Sequence, residues 1–418
     1  MKQGYKQTEI GVIPEDWDIG SLKDAFPKLS AGVSVNSDES IYSDYYVLKT
    51  SAVRDGKVNI TESKPVVQSD YSRVKCPVKK GTIIISRMNT PAMVGECGFS
   101  AIDAPNTFLP DRLWQAEPSS AEYDFQWLNY LLNTEKYSTA IRATATGTSN
   151  SMKNIAKDRL LEITIPKPLR PEQQRIADAL SDMDELIASL EKTIAKKEAI
   201  KQGAMQVLLT GKRRLEGFNG EWKTAKLISC TERIIVGLAT SVTQYYRDHG
   251  VTLFRNLNIL PNRLDDSDIL YLDPSFASQY SSKQIRENDV LTVHTGYVGT
   301  SCVVPQKYDG SLTFTTLITT TNSMILAPQY LVFHLNSVLG SKMIESLQAG
   351  GGRNNLNVSD FEQYELSFPK DIAEQIAISN VIAAVDKEIE LLKLKQQKLL
   401  SCKQGMMQQL LTGTTRLI

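Results

Sequence analysis

The chain has 418 residues, with 47 Lys and Arg against 47 Asp and Glu, so its formal net charge is +0. Its length predicts two or three domains, and the balanced charge excludes an evenly basic surface while leaving room for a local basic face. No apolar run approaches the roughly 20 residues that cross a bilayer, and the first residues lack the apolar stretch of a signal peptide, so we expect a soluble cytoplasmic protein without membrane contact.

The first block, residues 1–167, is predicted to be a mixed α+β domain. It contains short runs of Val, Ile and Tyr broken by Gly, Pro, Asn and Asp, such as YVLKTSAVRDGKV from Tyr46. The run GTIIIS from Gly81 is typical of a buried strand and is followed by Val94 and Gly95. The spacing of FQWLNYLL from Phe125 predicts a helix whose apolar face belongs to the core.

Residues 168–212 are predicted to form one long helix that needs a partner helix. Its apolar residues step by alternating fours and threes, as in the a/d seam of a coiled coil. The seam residues are Ile176, Leu180, Met183, Ile187, Leu190 and Ile194. Pro168 and Pro171 suit a first helical turn, and Gly211 follows Leu-Leu-Thr as a helix-ending glycine. About 40 residues at about 1.5 Å each predict a helix roughly 60 Å long.

The rest of the chain repeats this organisation. The segment KQGAMQVLLTGKRRL from Lys201 recurs as KQGMMQQLLTGTTRL from Lys403. Residues 213–370 form a second block with its own helical spacing, QYLVFHLN from Gln329, and residues 371–413 repeat the long helix. The second seam contains Ile378, Ile382, Val385, Ile389, Leu392 and Leu399. A repeat of this kind decides the architecture: two pseudo-symmetric mixed α/β domains, an α+β fold, joined by two long helices whose seams pair.

Few residues suggest catalysis or a bound cofactor. Five cysteines without a C-x-x-C pair argue against a disulfide framework or a thiolate zinc site, and the three histidines lie outside any nucleophile motif. The sequence Gly211-Lys212-Arg213 lacks both the upstream glycine and the following Ser or Thr of a phosphate-binding loop. We therefore expect no metal and no catalytic residue, although a nuclease site assembled from scattered Asp, Glu and Lys stays open.

Polar and basic loop residues recur at matched places in the two blocks. Arg, Lys, Asn, Ser and Thr are the side chains that contact phosphates and base edges. The predicted DNA-binding residues are Lys49, Thr50, Arg54, Ser86, Arg87, Asn89, Asn150, Lys153 and Asn154 in the first block, and Arg255, Asn256, Asn258, His294, Thr295, Tyr297, Arg353, Asn354 and Asn355 in the second. Any one of them could equally be a turn or capping residue, because Asn and Ser favour turns for local reasons. Their recurrence in both blocks favours recognition.

Seven basic residues lie on or just after the first long helix. They are Lys192, Lys196, Lys197, Lys201, Lys212, Arg213 and Arg214. They suit DNA binding, but a solvated helix face is the favoured interpretation because charge runs on helices usually face solvent.

Three features of the sequence resemble the specificity subunit of type I restriction-modification systems. They are the opening YKQTEIGVIPEDW from Tyr5, the IPKP from Ile165 with PEQ from Pro171, and the repeated LLTG at the helix ends. The resemblance covers essentially the whole chain. The second copy departs from the pattern, because Ala373 stands where the first copy has Pro171.

This resemblance implies two target-recognition domains, each of which reads one half of a split, asymmetric double-stranded DNA sequence. It also implies that the two long helices pair antiparallel as a spacer between the domains and that the chain docks two DNA adenine-N6 methyltransferase subunits. Motor-nuclease subunits would complete the restriction complex. The chain itself would have no catalysis and bind no cofactor, while S-adenosylmethionine, ATP and Mg would be bound by the partner subunits.

Two other classes of function compete with this one. A protein-binding scaffold with dimerising helices would fit the helix seam equally well. A self-contained DNA-modifying enzyme is disfavoured, because the sequence carries neither a methyltransferase motif nor a phosphate-binding loop.

Overall fold

The computed structural model describes residues 4–118, 121–146, 151–349 and 355–418. Its contacts divide the chain into two units, the first made of residues 1–189 and 396–418 and the second of residues 190–395. Each unit therefore contains one globular block, the first half of the long helix that follows it, and the second half of the other long helix.

The two long helices span Arg170–Leu208 and Ile372–Leu410. Both stop at the repeated Leu-Leu-Thr-Gly, where Gly211 and Gly413 have φ of 68° and 72°. This left-handed backbone is the conformation that glycine adopts at helix ends without steric cost. The second helix begins normally although Ala373 occupies the place of a proline.

The two helices pack antiparallel. In the second unit, Lys197 is paired with Glu388 at 2.8 Å and Lys201 with Asp386, so later residues of one helix meet earlier residues of the other. In the first unit, Lys403 and Asp184 make the equivalent pair at 2.8 Å. The predicted antiparallel helix pair is confirmed.

The described residues of the first block form three sheets and two strand pairs. The largest sheet has six strands in the order Leu29–Ala31, Leu113–Ala116, Ile83–Ser86, Cys97–Phe99, Gly56–Val58 and Val53–Arg54. The four-stranded sheet has the order Ser63–Pro65, Tyr46–Leu48, Ala104–Phe108 and Pro77–Val78, and the three-stranded sheet has the order Met88–Asn89, Lys153–Ile155 and Ala145–Thr146. The strand pairs are Tyr5–Thr8 with Gly11–Pro14, and Asp18–Ser21 with Thr164–Lys167. The last pair joins the beginning of the block to its end.

The core of the first unit lies between these strands and the helices. The short helices are Leu22–Ala25, Phe125–Leu132, Glu135–Ala143 and Lys157–Leu161. Trp17 and Trp127 are fully buried. Ile176 and Leu180 of the first long helix pack in the same cluster as Leu410 near the end of the second, so the helix seam is continuous with the core of the block.

In the part of the second block that the structure describes, the strands form two four-stranded sheets and two strand pairs. One sheet has the order Thr231–Val236, Thr316–Thr321, Val290–Val293 and Ser301–Val303, and the other has the order Tyr246–Arg247, Leu270–Leu272, Val251–Phe254 and Leu312–Thr313. The pairs are Trp222–Lys226 with Glu365–Pro369, and Ile259–Leu260 with Arg263–Leu264. The first of these pairs closes the second block as the Asp18–Ser21 pair closes the first.

Three of the four helices described in the second block have an equivalent helix in the first, and the exception is Pro274–Ser278. The four helices are Pro274–Ser278, Pro328–Leu335, Val338–Ala349 and Val358–Glu362. The helices predicted from Phe125 and Gln329 are present, and each is followed by a second helix that the apolar pattern did not predict, Glu135–Ala143 and Val338–Ala349. Mixed sheets in both blocks confirm the α+β prediction.

Candidate nucleic-acid interface

Two of the loops singled out in the first block meet as neighbouring strands. Met88–Asn89 pairs antiparallel with Lys153–Ile155, so that Asn89 lies opposite Lys153 and Met88 opposite Asn154. The backbone N–H of Ile155 donates to the carbonyl oxygen of Arg87 at 2.8 Å. Residues separated by more than 60 positions in the chain thus form one continuous strand end, here called the Arg87 strand end, which consists of residues 87–89 and 153–155.

The side chains at this strand end divide into internal and exposed groups. Ser86 is fully buried, and its hydroxyl accepts a hydrogen bond of 3.1 Å from the Asn89 amide, whose oxygen accepts one from the backbone N–H of Thr90. These residues therefore hold the turn. Arg87 is half-buried, and its guanidinium lies over the Trp114 ring, 5.2 Å from the centroid.

Lys153 and Asn154 are also half-buried. Together with Arg87 they give the strand end a basic and amide-bearing surface, which is the chemistry that binds phosphates and base edges. Trp114 was not predicted as part of this site, because its burial in a central strand makes it resemble an ordinary core residue.

Three other predicted residues of the first block have contacts away from this strand end. Lys49 is paired with Glu39 at 3.1 Å, Thr50 begins a short 3-10 helix, and Arg54 lies 3.5 Å from Asp55. Within the described ranges, no hydrogen bond or ion pair connects Lys49, Thr50 or Arg54 to the Arg87 strand end.

In the second block, all three groups of predicted residues meet. The backbone N–H of Leu356 donates to the carbonyl of His294 at 3.1 Å, and Thr295 forms a bridge with Asn355. The Asn256 amide donates to the hydroxyl of Thr295 at 2.9 Å. This arrangement, here called the His294 strand end, is equivalent to the Arg87 strand end of the first block.

Three further predicted residues of the second block have different surroundings. Arg255 is paired with Asp268 at 2.8 Å. Asn258 is fully buried, accepts from the backbone N–H of Arg255 and donates to the carbonyl of Asp268, so it stabilises its own loop. Tyr297 is 90% exposed. Asn150, Arg353 and Asn354 lie outside the described residues.

A glycine closes the turn beside each strand end. Gly95 and Gly299 have φ of 85° and 91°. An added Cβ would lie 2.7 Å from Ile141 at Gly95 and 2.6 Å from Ile344 at Gly299. Both glycines are therefore required by backbone conformation and by packing against the second helix of each block. The sequence repeat pairs these glycines, but it does not reveal the contact.

The predicted seam residues lie on the buried side of the helices. In the first unit, Ile176, Leu180 and Ile187 are buried, Met183 is half-buried, and so is Leu399 of the second helix. In the second unit, the buried seam residues are Leu190, Ile194, Ile378, Ile382 and Ile389, and the half-buried ones are Val385 and Leu392.

Several basic residues near the first helix are occupied by carboxylates. Lys197 and Lys201 belong to the helix-to-helix ion pairs, and the Arg214 guanidinium donates to both oxygens of Glu374 at 2.5 and 2.6 Å. Lys192, Lys196, Lys212 and Arg213 are exposed. The helix face is therefore mainly charge-paired or solvated, as the favoured interpretation holds.

A corner that links block and helix in the first unit was not predicted. Trp17 donates its indole N–H to Glu172 at 2.9 Å, and Arg416 bridges Glu172 and Asp16. The hydrogen bonds from Arg416 hold the pKa of Asp16 below its usual range. No local pattern reveals this corner, because Arg416 lies 244 residues from Glu172.

The described residues offer neither a metal site nor a membrane-spanning helix. No group of three or more His, Cys, Asp or Glu side chains there is placed to hold a metal ion. No helix in the described ranges has the length and apolar character to span a membrane.

Comparison with known proteins adds independent findings. A family described as "Type I restriction modification DNA specificity domain" matches residues 14–202 and 254–401. A Methanocaldococcus jannaschii protein provisionally named the type I restriction enzyme MjaX specificity subunit is 24% identical, over 99% of this chain and 97% of its own length. The Escherichia coli type I restriction enzyme EcoBI specificity subunit is 22% identical over 64% of this chain and 60% of its own.

Solved structures show the same fold. The crystal structure of a type I restriction-modification system S subunit from M. genitalium superposes with a TM-score of 0.60 and 15% identity, covering 98% of this chain and 99% of that one. A structure from work on complex assembly and conformational transition of the type I R-M system gives a TM-score of 0.57 and 14% identity, covering 96% and 99%.

Proposed function

Because this chain belongs to the type I restriction-modification DNA specificity domain family, we propose that each of its units reads one half of a bipartite, asymmetric double-stranded DNA target. The chain is a DNA specificity subunit of a type I restriction-modification system and a non-catalytic component of that enzyme complex. The resemblance noted in the sequence is thereby confirmed.

One observation supports the proposal that the target has two parts. The Arg87 strand end and the His294 strand end are built alike, each by a strand end hydrogen-bonded to a later segment of its block and each beside a glycine turn. Their side chains differ: Arg87, Lys153 and Asn154 belong to one, and Asn256, His294 and Thr295 to the other. Equivalent frames with different side chains would read different bases, because each base pair presents its own donors and acceptors in the major groove.

The proposed partners follow from the family. Two DNA adenine-N6 methyltransferase subunits would dock on equivalent surfaces of the two units, which suits the internal repeat. Motor-nuclease subunits would complete the restriction complex. These partners would bind S-adenosylmethionine, ATP and Mg, and we place the complex in the cytoplasm. With a net charge of +0, the chain would leave much of the phosphate contact to its partners.

A genome-wide map of N6-methyladenine, made with and without this gene, tests the proposal. Deletion is expected to remove methylation from one two-part motif and from no other. Replacing residues 1–160 by the equivalent block of a relative is expected to change one half of that motif. Loss of both halves in a chimaera that still assembles would argue against independent reading by the two units.

The helices are proposed to set the spacer between the two half-sequences. Matched insertions that lengthen both helices are expected to change the number of unspecified bases and leave the half-sequences unaltered. The methylation map of the insertion variant measures this directly, and an unchanged spacer would show that something other than the helix pair fixes the distance.

A further inference from the structure

Tyr297 stands out at the His294 strand end because its aromatic side chain is 90% exposed. The turn that carries it is hydrogen-bonded at several points. Gly299 donates its N–H to the Val293 carbonyl at 3.0 Å, and Thr300 donates its hydroxyl to the Tyr297 carbonyl at 2.9 Å. Because the backbone of this turn is already ordered, binding through Tyr297 would cost mainly the freedom of its own side-chain torsions.

The backbone around Tyr297 depends on two glycines. Gly296 has φ of 90°, and no atom lies within 4 Å of the place where its Cβ would be. Gly299, with φ of 91°, packs against Ile344. Gly296 therefore allows the left-handed backbone conformation of the turn, and Gly299 allows the turn to pack against the helix that contains Ile344. Together they fix the backbone from which Tyr297 projects.

The polar groups beside Tyr297 are largely engaged with one another. Asn256 donates to Thr295 and accepts from the hydroxyl of Thr316 at 3.0 Å. The ring nitrogen Nδ1 of His294 lies 2.5 Å from the carbonyl oxygen of Leu356. By contrast, the described residues provide no hydrogen bond to the Tyr297 phenol oxygen, and its ring faces are open. The surface that this strand end offers is therefore aromatic as well as polar.

We propose that Tyr297 contacts the DNA through the face of its ring, wedging against a nucleobase within the half-site read by the second unit. The inference rests on the proposed function and assigns one residue a contact within it. Every base has a π-face, and base stacking on an aromatic side chain contributes about 1–3 kcal/mol per base. Apolar side chains inserted at a base step also unstack and bend the duplex.

The first unit offers no such ring at the equivalent place. Because Val298-Gly299 corresponds to Val94-Gly95, Tyr297 corresponds to Met93, which is half-buried. The segment Thr90-Pro91-Ala92-Met93 contains no aromatic residue. The equivalent turn of the first unit therefore lacks the wedge, and Met93 provides a matched control.

The test uses the chain co-assembled with its methyltransferase subunits and a duplex that carries the mapped target. Tyr297→Ala is expected to weaken binding by up to about 150-fold, which is the cited stacking contribution converted to an affinity ratio, and the cost of unstacking the duplex step reduces this loss. Tyr297→Phe keeps the ring and is expected to stay within about twofold of wild type. Met93→Ala serves as the control in the other unit and is expected to bind as wild type does.

A fluorescence measurement locates the contact. The probe is 2-aminopurine placed in turn at each position of the half-site, and its fluorescence is expected to change at one step with wild type and Tyr297→Phe but not with Tyr297→Ala. Equal losses of binding affinity in Tyr297→Phe and Tyr297→Ala would show that the hydroxyl group, and not the ring face, contacts the DNA. Unchanged binding by Tyr297→Ala would show that Tyr297 does not contact the DNA, while the proposal of a two-part target would be unaffected. A wild-type complex without a preference for a two-part target would overturn the proposed function itself.

Discussion

The two units use the same glutamine to join block and helix. In the first unit, Gln173 accepts from the backbone N–H of Asp124 at 2.8 Å and donates to the carbonyls of Glu122 and Pro168. In the second, Gln375 makes the same three bonds with equivalent backbone groups, those of Ala327, Ile325 and Pro369. Where the partner is backbone, the duplication has kept the side chain unchanged.

Beside this glutamine, the side-chain contacts of the two units differ. In the first, Glu172 accepts from both Trp17 and Arg416. In the second, Glu374 accepts from Arg214, while the indole N–H of Trp222 is buried without a hydrogen-bond partner in the described structure. The comparison teaches that contacts to backbone define the shared frame, whereas contacts between side chains are free to diverge.

The core has diverged as well. The helices Phe125–Leu132 and Pro328–Leu335 are equivalent, yet Leu131 in the first corresponds to His334 in the second. His334 is buried, and its Nδ1 lies 2.8 Å from the Tyr364 hydroxyl. Burial lowers the pKa of His334 to about 4. One unit therefore has a titratable group where the other has a hydrocarbon.

The largest expected effect tests the glutamine-to-backbone hydrogen bonds that the two units share. Gln173→Ala and Gln375→Ala each remove three hydrogen bonds to backbone groups, one of which is a buried N–H, so each is expected to cost about 4 kcal/mol in its own unit. Hydrogen exchange followed by mass spectrometry measures the free energy of opening separately in peptides of each unit. The exposed neighbour Gln174→Ala is the control and is expected to change nothing measurable. A much smaller cost at one glutamine would mean that its frame is held by other contacts.

The second-largest expected effect is a pH dependence of stability that distinguishes the core of the second unit from that of the first. Because the pKa of His334 is lowered from 6.5 to about 4 on folding, the unfolded state binds the extra proton between these values. Stability of the second unit is therefore complete above about pH 6.5 and is lost as the pH falls toward 4, by about 3 kcal/mol from this group alone. Hydrogen exchange at a series of pH values is expected to show this loss in peptides around His334 and no equivalent loss around Leu131.

A double variant isolates the histidine. His334→Leu with Tyr364→Phe installs the leucine of the first unit and removes the hydroxyl that would otherwise lose its partner. The acid-dependent difference between the units is expected to shrink in this variant. If it persisted at full size, carboxylates elsewhere in the second unit would be its source.

The sequence predicts those parts of the structure whose signal is local or repeated. The long helices follow from a seam repeated over many turns, and the helix from Phe125 follows from its dense apolar face. Glu135–Ala143 escapes prediction because only Tyr137 and Ile141 of its nine residues are buried. A helix with one apolar residue per turn resembles a polar loop in the sequence.

The candidate site shows the same limit. The sequence singles out these positions one loop at a time, and only the fold shows that Arg87 lies near Asn154 and His294 near Asn355. Residue type alone does not distinguish Asn258, which is buried in its own loop, from Asn154, which is partly exposed. Asparagine satisfies nearby backbone as readily as it binds a base edge, so the division between these roles depends on tertiary packing.

The smallest effect concerns the divergent corner. Arg214→Ala leaves the fully buried Glu374 carboxylate without a side-chain donor in the described structure, whereas after Arg416→Ala the Glu172 carboxylate keeps its bond to Trp17. Breaking a buried ion pair costs several kcal/mol, but both arginines are partly exposed and water can replace part of their contact. We therefore expect a cost of about 2 kcal/mol for Arg214→Ala and about 1 kcal/mol for Arg416→Ala.

The difference between these two arginine variants depends on Trp17. Adding Trp17→Phe to Arg416→Ala removes the remaining donor to Glu172 and is expected to raise the cost in the first unit to at least that of Arg214→Ala. Trp222→Phe is the matched substitution in the second unit. Because the indole N–H of Trp222 makes no hydrogen bond within the described structure, this substitution is expected to add little to the cost of Arg214→Ala. Equal increments from the two tryptophan variants, measured by hydrogen exchange in each unit, would mean that ring packing and not the indole bond distinguishes the corners.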